Sequence, residues 1–162
     1  PVKFKLIMEI INSQNINVHC RLAFVVSRFN EEVTSKLLEG ALARAKERGF
    51  SNSDITVVWV PGAVEIPIAA QRLALRRAPY GAIVCLGAVI RGETTHYDYV
   101  CDMVAQGCNT VALNHNVPVI FGVLTTENEE QALERCGGKH GHKGKEAVDT
   151  AIEMVATLRR LV

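Results

Sequence analysis

Apolar residues follow two rhythms along this chain. Four runs of strand length are apolar nearly throughout: RLAFVVS at 21–27, ITVVWV at 55–60, the stretch 81–90, and 118–124. Between them apolar residues recur at helical spacing. Residues 31–48 place Val33, Leu37, Leu38, Ala41, Leu42 and Ala45 on one face, and Gly49 follows as a stop. Residues 65–77 predict a second helix with Pro67 in its first turn. A third is expected over 95–114, opened by Thr95 with Asp98 three residues on. Thr126 and Glu129 repeat that capping pattern before a short helix stopping near Gly137, and 145–161 carries a last stripe of Val148, Ile152, Val155 and Leu158.

Strands without polar alternation are buried on both faces, so helices must cover both sides of a parallel sheet. Right-handed crossovers then predict one α/β domain over residues 1–162. It is a three-layer α/β/α sandwich on a mainly parallel four-stranded sheet. Residues 1–12 sit outside the alternation and are expected to form an arm or an extra strand.

In such a sheet, ligands bind at the carboxyl ends of the strands, and the unusual residues cluster there. Arg28-Phe29-Asn30 follows the first strand, Pro61 to Glu65 the second, and Gly92 to His96 the third, while Phe121 lies in the fourth. All four ends are expected to open on one edge of the sheet. The third is the most informative. In LGAVIRGETTHYDY a strand runs into a turn and then a helix, offering free N–H groups and a positive dipole end to an anion. His96 beside it is of the residue type suited to proton transfer near neutrality. The combination points to chemistry on a phosphorylated small molecule.

Composition narrows the field. Eighteen basic and seventeen acidic residues give a net charge of +1, which offers no footprint for nucleic acid. No apolar run approaches the ~20 residues that span a bilayer, and no small-residue cleavage site follows the first twelve residues. Five cysteines without a C-x-x-C pair predict reduced thiols in a cytoplasmic protein and no zinc site. The two histidines of KHGHKG, His140 and His142, are a weak metal signal. No G-x-S-x-G elbow, phosphate-binding P-loop or dinucleotide fingerprint is present. Arg135 and Lys143 could add charge to an anion site, but each alone reads as a solvated residue.

The blocks SRFNEEVTSKLLEGA, VVWVPGAVEIPIAA, LGAVIRGETTHYDYV, PVIFGVLTTENEEQALERCGGK and HKGKEA occur in order between Leu22 and Leu158. In these blocks the chain resembles the lumazine synthase (6,7-dimethyl-8-ribityllumazine synthase) family. The resemblance implies a flavodoxin-like fold with no flavin, other cofactor or metal. It implies a transferase of riboflavin biosynthesis that condenses 5-amino-6-(D-ribitylamino)uracil with 3,4-dihydroxy-2-butanone 4-phosphate, giving 6,7-dimethyl-8-ribityllumazine, phosphate and water. By the same resemblance Phe29 stacks on the pyrimidine and Ala63, Val64 and Glu65 bind it, with Glu65 on its ribityl hydroxyls. Ala88, Val89 and Ile90 read the uracil edge through their backbone, and Phe121 walls the ring. Glu93, Thr94, Arg135 and Lys143 hold phosphate, and His96 transfers protons.

The implied assembly is a homo-pentamer whose active sites are shared between adjacent subunits, with Phe121, Arg135 and Lys143 supplied by the neighbour. Many family members close into an icosahedral shell of twelve pentamers, and riboflavin synthase is a candidate partner. Three positions depart from the family pattern. Val64 replaces a common aromatic, Glu93 a small residue and His142 an asparagine. The rival reading is a non-catalytic flavin- or lumazine-binding or container protein, against which the retention of His96, Arg135 and Lys143 argues.

Overall fold

The computed structural model describes residues 8–162. Strand β1 (Leu22–Ser27) is buried at every position, and its residues alternate between two cores. Leu22, Phe24 and Val26 face one side of the sheet, Ala23 and Val25 the other. β2 (Ile55–Val60), β3 (Ala82–Ile90) and β4 (Val119–Thr126) join it in the order β2-β1-β3-β4, all parallel. Helices α1 (Glu31–Glu47) and α5 (Lys143–Arg160) cover the Phe24 face, while α2 (Ile66–Ala74) and α3 (His96–His115) cover the other. This is the expected three-layer sandwich. The chain winds outward from β1 in both directions, so a crevice opens between the carboxyl ends of β1 and β3, the switch point at which such sheets bind ligands.

Side-chain size sets how closely the layers approach. α1 meets α5 through Gly40, Ala41 and Ala45 against Gly144, Ala147 and Ala151. The two helix backbones nearly touch. A methyl group on Gly144 would overlap the Leu37 carbonyl oxygen. Further along the seam Asp149 takes both Arg44 and Arg48, the latter at 2.8 Å. Gly49 ends α1 in the left-handed region (φ 92°), with its N–H on Lys46 O and the Phe50 N–H on Ala45 O, each 3.0 Å. This is a Schellman arrangement, and it ends the helix at the glycine expected to stop it.

Several boundaries differ from expectation, each for a local reason. The helix expected over 65–77 is a tight turn (Ala63–Glu65) followed by α2, because the Glu65 carboxylate reaches back to the Gly62 N–H at 2.9 Å. Thr95 stands at the N-cap of α3 but its hydroxyl caps nothing. Thr94 Oγ1 instead accepts the His96 N–H at 3.3 Å. Thr126 does not cap α4 (Glu129–Glu134), since it is still paired with Ile90 at the end of β4. Asn128 is the cap and accepts the Gln131 N–H at 2.9 Å. The glycine-rich link holds a small antiparallel hairpin that periodicity did not announce, β5 (Cys136–Gly138) with β6 (Gly141–His142). Of the arm or strand expected over 1–12, residues 1–7 lie outside the described residues and 8–12 form no strand.

Candidate active site

Asn30 stitches the crevice between β1 and β3. It adopts the left-handed conformation (φ 60°, ψ 48°), which asparagine tolerates better than most residues. From there its side-chain amide donates to Ala88 O at 2.9 Å, tying the two strand ends together. Beside this stitch lies a cavity of about 580 Å³. Phe29 and Asn30 line it from the end of β1, Gly62 to Glu65 from the turn after β2, and Ala88, Val89 and Ile90 from the end of β3. Gly92, Thr94 and His96 form its third side. Three of the four strand ends thus converge as the sequence predicted.

The electrostatics of this cavity favour an anion next to a hydroxyl-rich ligand. The N–H groups of Gly92, Glu93, Thr94 and Thr95 find no acceptor among the described residues. They stand at the positive end of α3. His96, the first residue of that helix, is exposed and lines the cavity. In the same lining, one oxygen of Glu65 takes the Gly62 N–H, which fixes the carboxylate's orientation and leaves acceptor capacity for a ligand hydroxyl. Glu93 is exposed and is not part of the lining.

Among the described residues no lysine or arginine lines this cavity. Arg91, in the same turn, is occupied elsewhere: it binds Glu127 at 2.7 Å and Asp98 at 3.4 Å, and stacks 4.1 Å from the Tyr97 ring centroid. Its carboxylate partners hold its pKa above the ordinary arginine value, though it is exposed. It fastens the anion turn to α3 and to the end of β4.

Two cations lie together on a different face. β4 and the start of α5 form a second hollow of about 570 Å³, lined by Phe121, Arg135, Lys143, Glu146 and Thr150 among others. Arg135 is held by the Gln131 carbonyl at 2.8 Å, and Lys143 pairs with Glu146 at 2.8 Å. The Lys143 N–H also donates to Arg135 O at 2.8 Å, so the hairpin fixes the two cations relative to each other. Phe121 does not join the first cavity, although the fourth strand was expected to open on the same edge of the sheet as the other three. β4 runs on to Thr126, which leaves Phe121 third in an eight-residue strand. The two hollows share no lining residue. One has the imidazole and the free N–H groups, the other the guanidinium and the ammonium.

The sequence profile of the 6,7-dimethyl-8-ribityllumazine synthases matches residues 19–159. The chain belongs to that family. Relatives bearing that name from three strains of Coxiella burnetii are each 55% identical to it over 141 residues, which is 87% of this chain and 93% of theirs.

Against this family frame, the cavity also contains residues that the sequence did not single out. Tyr97, Tyr99, Val100 and Met103 of α3 line it. Tyr99 and Met103 are 68% and 57% exposed. Such exposure is unusual for large apolar side chains unless another surface covers them. Burial, followed by the neighbouring Cys101, pushes the Tyr97 phenol up and keeps it protonated. The signal available in sequence was a second apolar stripe, Tyr99, Met103 and Leu113, opposite the buried stripe of Val104, Cys108 and Val111. All five cysteines are free. Burial raises the Cys136 thiol to about 11, so it is unreactive near neutrality. His140 faces Glu134 at 3.6 Å and His142 turns into the α1–α5 seam, so the two do not point at a common ion. Among the described residues no helix is long and apolar enough to cross a membrane.

Proposed function

We propose that this protein makes 6,7-dimethyl-8-ribityllumazine from 5-amino-6-(D-ribitylamino)uracil and 3,4-dihydroxy-2-butanone 4-phosphate, at sites built between adjacent protomers of a homo-pentamer. Family membership supports the reaction. The observation that carries the shared site is the division of chemistry between the two hollows. A phosphate dianion needs cations, and acid–base catalysis needs His96, yet a single chain keeps them on separate faces. Two different surfaces that meet head to tail generate a ring when the rotation closes. A ring brings Arg135, Lys143 and Phe121 of one protomer to the His96 cavity of the next.

The mechanism uses each group according to its chemistry. Phe29 stacks on the pyrimidine, Glu65 takes the ribityl hydroxyls, and the backbone at Ala88, Val89 and Ile90 reads the uracil edge. Ala63 and Val64 close the floor, and Phe121 from the neighbour forms the far wall. The phosphate sits on the turn at Thr94, through its free N–H groups, and against the neighbour's Arg135 and Lys143. Glu93 contributes its N–H, with its carboxylate directed to solvent, where it does not repel the dianion. The pyrimidine amine attacks the butanone carbonyl, the carbinolamine loses water to an imine, phosphate is eliminated to an enol that tautomerises to a ketone, and the ribitylamino nitrogen closes the ring on that carbonyl with loss of a second water. His96 moves protons in these steps, and the reaction has no net redox change. Holding both substrates side by side supplies up to ~7–11 kcal/mol of the acceleration. Free thiols fit a cytoplasmic setting. Assembly of the rings into an icosahedral shell, with riboflavin synthase as an associated partner, is the larger architecture we infer for it.

Mixing both substrates with the protein tests this reading. Lumazine fluorescence and free phosphate should appear in equal amounts. A folded protein that binds lumazine yet releases neither product would identify the non-catalytic binder instead.

A further inference from the structure

His142 ends β6, pairs across the hairpin with Cys136, and caps α5: its Nδ1 accepts the Lys145 N–H at 3.4 Å. The ring lies in a notch that Gly40 of α1 leaves open. A methyl group there would overlap three ring atoms, and one on Gly144 would come within 3.1 Å of Cε1. The ring also bears on the Lys36 backbone of α1. The residue therefore wedges three elements together immediately before Lys143, whose own N–H is tied to Arg135 O.

We propose that His142 is a positioning residue for phosphate binding, setting the Arg135–Lys143 pair through a helix cap that only the neutral imidazole can make. The inference rests on the functional reading above, because it takes those two cations to be the phosphate ligands. A cap needs an acceptor lone pair, and protonation at Nδ1 removes it. Protonation also brings a positive charge to the positive end of α5.

The charged and titratable groups around the ring are Lys143, Lys145 and Glu146 on α5, Lys36 on α1 and the Cys136 thiol on β5. Burial, then the Lys145 ammonium, holds the His142 pKa below its ordinary value of 6.5. The folded value is thus below the unfolded one. The cap and its contribution are complete above about pH 6.5 and are lost as pH falls through the folded value. The substrate phosphate also titrates in this region, so the diagnostic is the difference between variants. Asparagine at position 142 caps a helix without titrating.

The test measures KM for the phosphorylated substrate and kcat on the assembled protein, at about pH 8 and at a lower pH at which ring NMR shifts show His142 to be protonated. H142N should match the wild type within about twofold at the higher pH. At the lower pH its KM should be about fivefold below that of the wild type, the factor expected for one helix cap. H142A should raise KM about fivefold over the wild type at the higher pH and match it at the lower, with kcat little changed. Amide exchange provides a readout that needs no turnover. Lys145 N–H protection should fall on acidification in the wild type and not in H142N. Parallel KM and exchange profiles in the wild type and H142N would overturn the proposal, as would a wild-type KM in folded H142A at the higher pH. A wild type that never turns over would instead refute the functional reading, and the exchange data would still decide whether the titrating cap exists.

Discussion

His96→Ala is expected to slow lumazine formation by about a hundred- to ten-thousandfold and to leave a measurable rate. General acid–base catalysis by a positioned side chain contributes on that scale. His96 is placed for it. It opens α3, its N–H is held by Thr94 Oγ1 at 3.3 Å, and it lines the same cavity as Glu65. The surviving rate comes from orientation of the two substrates, which the substitution leaves in place. Single-turnover kinetics with both substrates saturating is the appropriate measurement. An unchanged rate would remove the imidazole from the reaction path. Complete loss in a folded variant would show that proton transfer, rather than orientation, carries the acceleration.

Gly144→Ala should cost about 3 kcal/mol or more of stability, at the upper end of what overpacking usually costs. The reason is the obstacle a methyl meets. Most small-to-large changes displace a side chain, which can rotate. Here the methyl lands on the Leu37 carbonyl, a backbone atom inside α1. α1 and α5 would have to separate, opening the seam that holds Ala41, Ala45, Ala147 and Ala151. For a chain of this size the loss lowers Tm by about 6–12 °C at fixed protein concentration. A Tm within about 2 °C of the wild type would show that the seam can widen without loss.

The layers of the fold were legible because burial on both faces leaves a mark on every strand. β1 has no exposed position, and neither a surface strand nor an amphipathic helix would read LAFVVS. The β5–β6 hairpin left no such mark. Its strands are three and two residues long, glycine-rich and partly exposed, and are held by register against Arg135 and α5 rather than by an apolar face of their own. The α4 cap was misassigned because T-T-E-N-E-E offers two candidates three residues before a Glu or Gln. Pairing of Thr126 with Ile90 keeps it in the strand and leaves the cap to Asn128.

At the site, Phe29, Glu65 and His96 were readable from their place after apolar strands. Asn30 drew notice without a role, since its stitch to Ala88 joins strands 58 residues apart. The idle look of Arg135 and Lys143 in the bare sequence has a physical reason. Their hollow shares no residue with the cavity of the same chain, so no pattern along one chain can connect the two.

The account turns on that division, and mixing two defective proteins tests it most directly. One variant is His96→Ala, the other Arg135→Ala, and each alone should retain little activity at low phosphorylated substrate. Dissociated, mixed in equal parts and reassembled, they should form some sites with an intact His96 cavity facing an intact Arg135. Random assembly places the required variant on each side with even odds, so about a quarter of wild-type activity should return. Mixed assemblies no more active than the average of the two variants would contradict the shared site.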